Sequence, residues 1–228
     1  STINKHIFQG NPAIQLLQYI ADRENFTITH VKAYWLGGLA TSGKGDMLLD
    51  QNGNPITGSE SDVLLQIVCD SGVKIIGVSV KTCNKSTPTN DQMYFSTARA
   101  FCKLLEDNGI GVSQEAKIGM SQFCGDDGFR PVDLLPPDVV ATRRSDPNRF
   151  YWEELSAKAK TDWKKIFEKY QDKITMLLFQ KAYKNDPYPP TYLLHQTVKY
   201  DDFTNCKTAI FTMDEIVLLS KQFQGYVL

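Results

Sequence analysis

The sequence predicts an α/β fold, a mixed central sheet flanked by helices, and three observations carry that expectation. Two apolar runs at residues 63–68 and 73–80 flank the turn Cys69-Asp70-Ser71-Gly72, the pattern of a β-hairpin. Helical periodicity appears on either side of it, with Ile14, Leu16, Leu17 and Ile20 in residues 11–24 and with Tyr94, Ala98, Phe101, Cys102 and Leu105 in residues 91–107. A second strand pair, at residues 191–200 and 208–211, precedes a last helix.

The 228 residues are enough for one large domain with a sizeable core. Hydrophobic content of 42% and charged content of 22% are ordinary for a globular chain. No apolar run approaches the ~20 residues of a membrane span, and the N-terminus lacks a signal-peptide core, so a cytoplasmic protein without membrane contact is expected. Five cysteines form no CxxC pair, and three histidines have no zinc spacing, which predicts reduced thiols and no structural zinc. Net charge is −1, which argues against indiscriminate nucleic-acid binding. The charge is uneven, however: residues 143–184 hold eleven basic against six acidic side chains. Such a segment suits a phosphate backbone, and equally a solvated helix face.

Asn11-Pro12 caps and opens the first helix. Residues 26–39 alternate and carry β-branched and aromatic side chains, so they read as a strand. The following Ser42-Gly43-Lys44-Gly45 lacks the spacing of a phosphate-binding loop, and Asn52-Gly53-Asn54-Pro55 marks a turn. After the 61–81 hairpin, Asn90 or Asp91 is expected to cap the 91–107 helix and Asn108-Gly109 to stop it. Residues 110–150, broken by glycines and prolines, are expected to be irregular. The clearest helix spans 152–184, where Trp152, Leu155, Ala159, Trp163, Ile166 and Phe167 begin a long apolar stripe. The last helix begins at Thr212 with Glu215 three residues on, a capping box.

The chemistry-bearing residues gather on the first hairpin. Ser79 and Lys81 are two apart on one strand and so share a face, and Asp62 stands at the mouth of the other strand. A carboxylate holding a divalent metal beside a lysine that orients water is a minimal apparatus for phosphodiester hydrolysis. The same residues also suit a two-stranded sheet with a surface salt bridge. Asn84, Lys85, Asn90 and Gln92 in the next loop, and Arg143 and Arg144 further on, are groups that bond phosphates or base edges, although the arginines equally suit bridges to nearby acids. His195, Gln196 and Lys199 on the second hairpin fit a groove-reading ribbon or a polar sheet face.

Element order together with Ser61-Asp62 and Ser79-Val80-Lys81 resembles the PD-(D/E)xK nuclease superfamily, specifically small type II restriction endonucleases that recognise GCGC or CCGG. Those enzymes show Ser-Asp, a hairpin, then Gln/Asn-x-Lys. Further similarity lies in Asn84-Lys85, Asn90-Asp91-Gln92, Val31-Lys32-Ala33, Phe167-Glu168-Lys169 and residues 210–216, and Ile76 to Lys81 is similar to a strand of GGCC-specific enzymes. The resemblance implies a single nuclease domain over 1–228, with a catalytic core at 11–107 and a DNA-recognition side at 140–228. It implies Mg²⁺-dependent hydrolysis of a short specific duplex DNA sequence by a monomer or homodimer. Asp62 and the Val80 carbonyl would bind metal, Lys81 and Ser79 would complete the catalytic set, and Ser61 would lie at the DNA. Serine at 79 departs from the usual acid or amide, so Glu60 is the first candidate to complete the metal site. A repair nuclease or junction resolvase of the same fold, an inactive DNA-binding relative, and a thiol hydrolase using Cys83 or Cys124 with His195 are the alternatives.

Overall fold

The structure, a computed structural model, describes residues 4–38, 43, 45–83, 97–143, 146–181, 185–198, 202, 204 and 206–223. The chain forms two compact units, one of Ser1–Gln92 with Leu178–Val217 and the other of Met93–Leu177 with Leu218–Leu228.

The first unit is built on a six-stranded sheet. Its strands are β1 (Ile7–Gly10), β2 (Ile28–Trp35), β3 (Val63–Cys69), β4 (Gly72–Cys83), β5 (Tyr192–Thr197) and β6 (Cys206–Thr212), in the order β1-β6-β5-β4-β3-β2. Every pairing is antiparallel except β4 with β5. A parallel pair needs a long crossover, and here the chain leaves β4 at Cys83 and returns at Tyr192, with nearly all of the second unit in between. The mixed sheet with helices is the predicted α/β architecture.

Helix α1 (Pro12–Glu24) follows β1 and begins as its sequence dictates: the Asn11 side chain accepts from the N–H groups of Ala13 and Ile14. It ends at Asn25, which adopts the left-handed conformation at φ 54°. Leu16 and Ile20 of α1 pack with Leu65, Ile67, Val78, Tyr192, Leu194 and Ile210, making a core on one face of the sheet. Strand alternation places Leu64, Gly77, Ser79, Lys81, Leu193 and His195 on the opposite face. The expected capping box also forms, with the Thr212 N–H donating to Glu215 and the Glu215 N–H to the Thr212 hydroxyl, at the start of the helix Met213–Ser220.

The second unit is helical: α2 (Ala98–Asp107), α3 (Gln114–Cys124), α4 (Pro131–Leu134), α5 (Pro137–Thr142) and most of α6 (Ala157–Gln180); the helix at Met213–Ser220 is α7. Trp163 of α6, fully buried, stacks on Phe101 and donates its indole N–H to the Ala116 carbonyl at 2.8 Å. Residues 110–150 are therefore not irregular. Ser113 caps α3, Gly125 closes it in the left-handed conformation at φ 74°, and prolines open α4 and α5. The buried positions of α3 are the small or flexible Ala116, Gly119 and Met120, a weak apolar signal. Thr97 is the cap of α2, and α6 begins at Ala157 after a 3-10 turn at Trp152–Glu154, five residues later than the periodicity suggests. No described helix is long and apolar enough to cross a membrane.

Candidate active site

β3 and β4 pair from Val63↔Val78 to the turn, so β4 runs on beyond the start of β3 and its residues 79–83 pair only with β5. Asp62 occupies the place where the two strands part. Its backbone N–H donates to the Val78 carbonyl at 2.9 Å, and its carbonyl accepts from Leu36 and Gly37 at 2.8 and 3.0 Å. Two segments, β4 and residues 36–37, thus fix its main chain.

The Asp62 carboxylate is held as firmly. Oδ2 accepts from the Val80 N–H at 2.7 Å and, at a long 3.4 Å, from the Ser79 hydroxyl. Oδ1 lies against Gly37, close enough that a Cβ there would stand 3.0 Å away. In an extended strand the N–H and C=O of one residue leave on the same side, so the Val80 carbonyl faces the Asp62 side of β4.

Ser79 is 2% exposed. Its hydroxyl therefore acts inside the site wall, on Asp62. Lys81, half-buried, shares its face of the sheet. Burial pushes the Glu60 carboxyl up to about 7; the Lys81 ammonium opposes that rise while the Asp186 and Asp62 carboxylates add to it. Glu60, Asp62, Lys81 and Asp186 therefore share one electrostatic neighbourhood. Asp186, absent from the sequence expectation, accepts from the Ser59 hydroxyl and from the N–H groups of Glu60 and Tyr188, which fixes the approach to Glu60. Its only sequence signal is the Asn185-Asp186-Pro187 turn, more than a hundred residues away. Among the described residues no three His, Cys, Asp or Glu side chains are grouped to hold a metal ion.

Other expected site residues lie elsewhere. Ser61, expected at DNA, is fully buried and donates to the Tyr188 carbonyl at 2.6 Å, so its hydroxyl serves the fold. Arg143, expected to bind phosphate, pairs with Glu154 at 2.7 Å and lies over the Phe150 ring, so a neighbouring acid takes its charge. His195 pairs in register with Lys81, and Gln196 with Thr82, whose hydroxyl accepts from the Gln196 amide at 2.9 Å. Neighbours along a strand face opposite ways, so His195 and Gln196 do not serve one surface. Asn84, Lys85, Asn90, Gln92, Arg144 and Lys199 lie outside the described residues.

No family model matches the chain, and no curated protein matches its sequence. Among solved structures, the chain is similar to the restriction endonuclease MspI in complex with its cognate DNA, at 13% identity and a TM-score of 0.50, with 89% of this chain and 63% of that one covered. The chain thus spans less than two thirds of the length of MspI. The likeness is one of fold, and it establishes the restriction-endonuclease-like architecture.

Proposed function

We propose that the protein is a metal-dependent, site-specific endonuclease that hydrolyses phosphodiester bonds within a short duplex DNA sequence. The observation that carries this reading is the junction of β3 and β4, where the Asp62 carboxylate, anchored by the Val80 N–H, shares its surroundings with Glu60 and Lys81. The restriction-endonuclease-like fold supports it. The small-enzyme resemblance adds the finer reading, a four-base cutter with an SxK variant of the motif.

The donor set fits Mg²⁺. That ion binds through one or two carboxylates and keeps its remaining positions for water and substrate phosphate, so a large protein cage is not required. Asp62 and Glu60 would hold it with the Val80 carbonyl, and a Glu60 carboxyl raised by burial is a group that a cation would relieve. Bound there, Mg²⁺ supplies Lewis-acid polarisation of the phosphate.

The chain's own groups do the rest. Lys81 orients the attacking water and steadies the negative charge that develops on the phosphate oxygens. Ser79 positions Asp62 from within the wall. Residues 11–107 carry the catalytic core in this reading and 140–228 the recognition side, with Asn84, Lys85, Asn90, Gln92, Arg144 and Lys199 as further candidates at the DNA.

Incubation of purified protein with plasmid DNA and Mg²⁺, followed by mapping of the ends, tests the reading. Discrete ends at one recurring sequence are expected, and Asp62→Asn and Lys81→Met should each abolish cutting while leaving the circular dichroism unchanged. Wild-type-like cutting by either variant would sink the assignment. Intact plasmid with retained duplex binding would instead identify a non-catalytic DNA-binding protein, and cutting confined to mismatched or branched DNA a repair nuclease or resolvase.

A further inference from the structure

We propose that Lys81, His195 and Lys207 form a track across β4, β5 and β6 for the sugar-phosphate backbone of the strand being cut. The inference rests on the nuclease reading and names what lies beside its site. The parallel register sets His195 directly beside Lys81, and the antiparallel one sets Ala209 opposite His195 and Lys207 opposite Thr197. Paired residues share a sheet face, so these side chains stand on the face away from α1. Adjacent strands are ~4.8 Å apart, which places the imidazole one strand from the ammonium and Lys207 on the strand after that.

Exposure rises along this line, from half-buried Lys81 and His195 to exposed Lys207. Ala209 adds little bulk next to the imidazole, and Thr197 adds a hydroxyl beside Lys207. Cations and hydrogen-bond donors carried on successive strands match a run of phosphates, which positions a duplex without reading its sequence. Gln196 faces the other way and bonds Thr82, so the pair His195 and Gln196 is not a base-reading unit.

The test is equilibrium binding of wild type, His195→Ala and Lys207→Ala to a duplex containing the mapped cut site and to a scrambled duplex of equal length. Ca²⁺ replaces Mg²⁺ to prevent cutting, and salt is varied. Each variant should bind both duplexes more weakly by a similar factor, on the order of tenfold. Lys207→Ala should also flatten the dependence of log affinity on log salt by ~0.9, the loss of one phosphate contact. The sequence cut should not change. A loss confined to the cut-site duplex would overturn the track and make His195 a base reader; unchanged binding by both folded variants would overturn it too. Should His195→Ala fail to fold, His195→Gln takes its place. A wild type that cuts DNA while the variants bind normally defeats only the track, whereas a wild type that binds no DNA defeats the nuclease reading as well.

Discussion

The Val80 N–H donates to Asp62 Oδ2 at 2.7 Å, while the Ser79 hydroxyl reaches the same oxygen at 3.4 Å. A main-chain donor therefore fixes the carboxylate, and the Ser79 side chain is the weaker of its two anchors. A hydrogen bond that long contributes less than ~1 kcal/mol. Ser79→Ala should accordingly keep cleavage within about fivefold of wild type in single-turnover assays. A hundredfold loss in a folded variant would show that Ser79 acts on the metal or its waters.

Gly37 bounds the other oxygen of Asp62. A Cβ added there would stand 3.0 Å from Asp62 Oδ1 and 3.3 Å from the Trp35 indole nitrogen, so the carboxylate would have to give way. Gly37 is exposed and its φ is not in the left-handed region, so Gly37→Ala should cost the fold only ~1 kcal/mol. The cost should fall on metal affinity instead. A Mg²⁺ titration of cleavage is expected to shift to higher concentration by roughly tenfold, with little change in Tm; an unchanged titration would mean that Oδ1 does not face the ion.

The division between what the sequence revealed and what it hid has physical causes. The shared face of Ser79 and Lys81 was legible because strand alternation with period two is local, the approach of Asp62 to them because a hairpin brings its two strands together, and the Asn11 and Thr212–Glu215 caps because capping chemistry spans three residues. Helix α3 was not, since its buried face of Ala116, Gly119 and Met120 carries almost no apolar contrast. Ser61 looked like a site residue through adjacency to Asp62, yet its hydroxyl is buried against Gly77 and bonds the Tyr188 carbonyl, a contact between segments more than a hundred residues apart. The neighbours Lys81 and His195, like Glu60 and Asp186, meet only through the pairing of segments more than a hundred residues apart, which no local pattern encodes.

Glu60 makes stability depend on pH. Its folded carboxyl titrates near 7, above the ordinary 4.5, so the folded protein keeps a proton that the unfolded chain releases. Its stabilising contribution is complete below about 4.5 and is lost as pH rises through 7. A displacement of that size is worth ~3 kcal/mol for a fully enclosed group, and the partial exposure of Glu60 reduces it to roughly 1 kcal/mol. In urea unfolding without divalent ions, Glu60→Gln should match wild type near pH 4 and exceed it by about that amount at pH 8. A variant that matches wild type at both pH values would remove Glu60 from the buried neighbourhood of Lys81.

Gly77 supports the site from beneath. A Cβ there would lie 2.3 Å from the Ser61 hydroxyl and 2.9 Å from the Tyr188 and Pro189 carbonyls, and the Gly77 carbonyl itself accepts from Thr191 at 2.9 Å. Two of these neighbours are backbone atoms that no rotamer change can move. Gly77→Ala should therefore destabilise by ~3 kcal/mol or more, combining overpacking with loss of the buried bond from Ser61 to Tyr188. Because Ser61 precedes Asp62, the strain should also misplace the carboxylate and lower cleavage at temperatures where the variant remains folded. Removing the nearest obstacle should recover part of both losses: Gly77→Ala combined with Ser61→Gly is expected to be more stable than Gly77→Ala alone, a coupling that denaturant unfolding of the four proteins in the cycle measures. Additive losses would show that the clash is with the 188–189 backbone alone and that Ser61 contributes nothing to holding Asp62 in place.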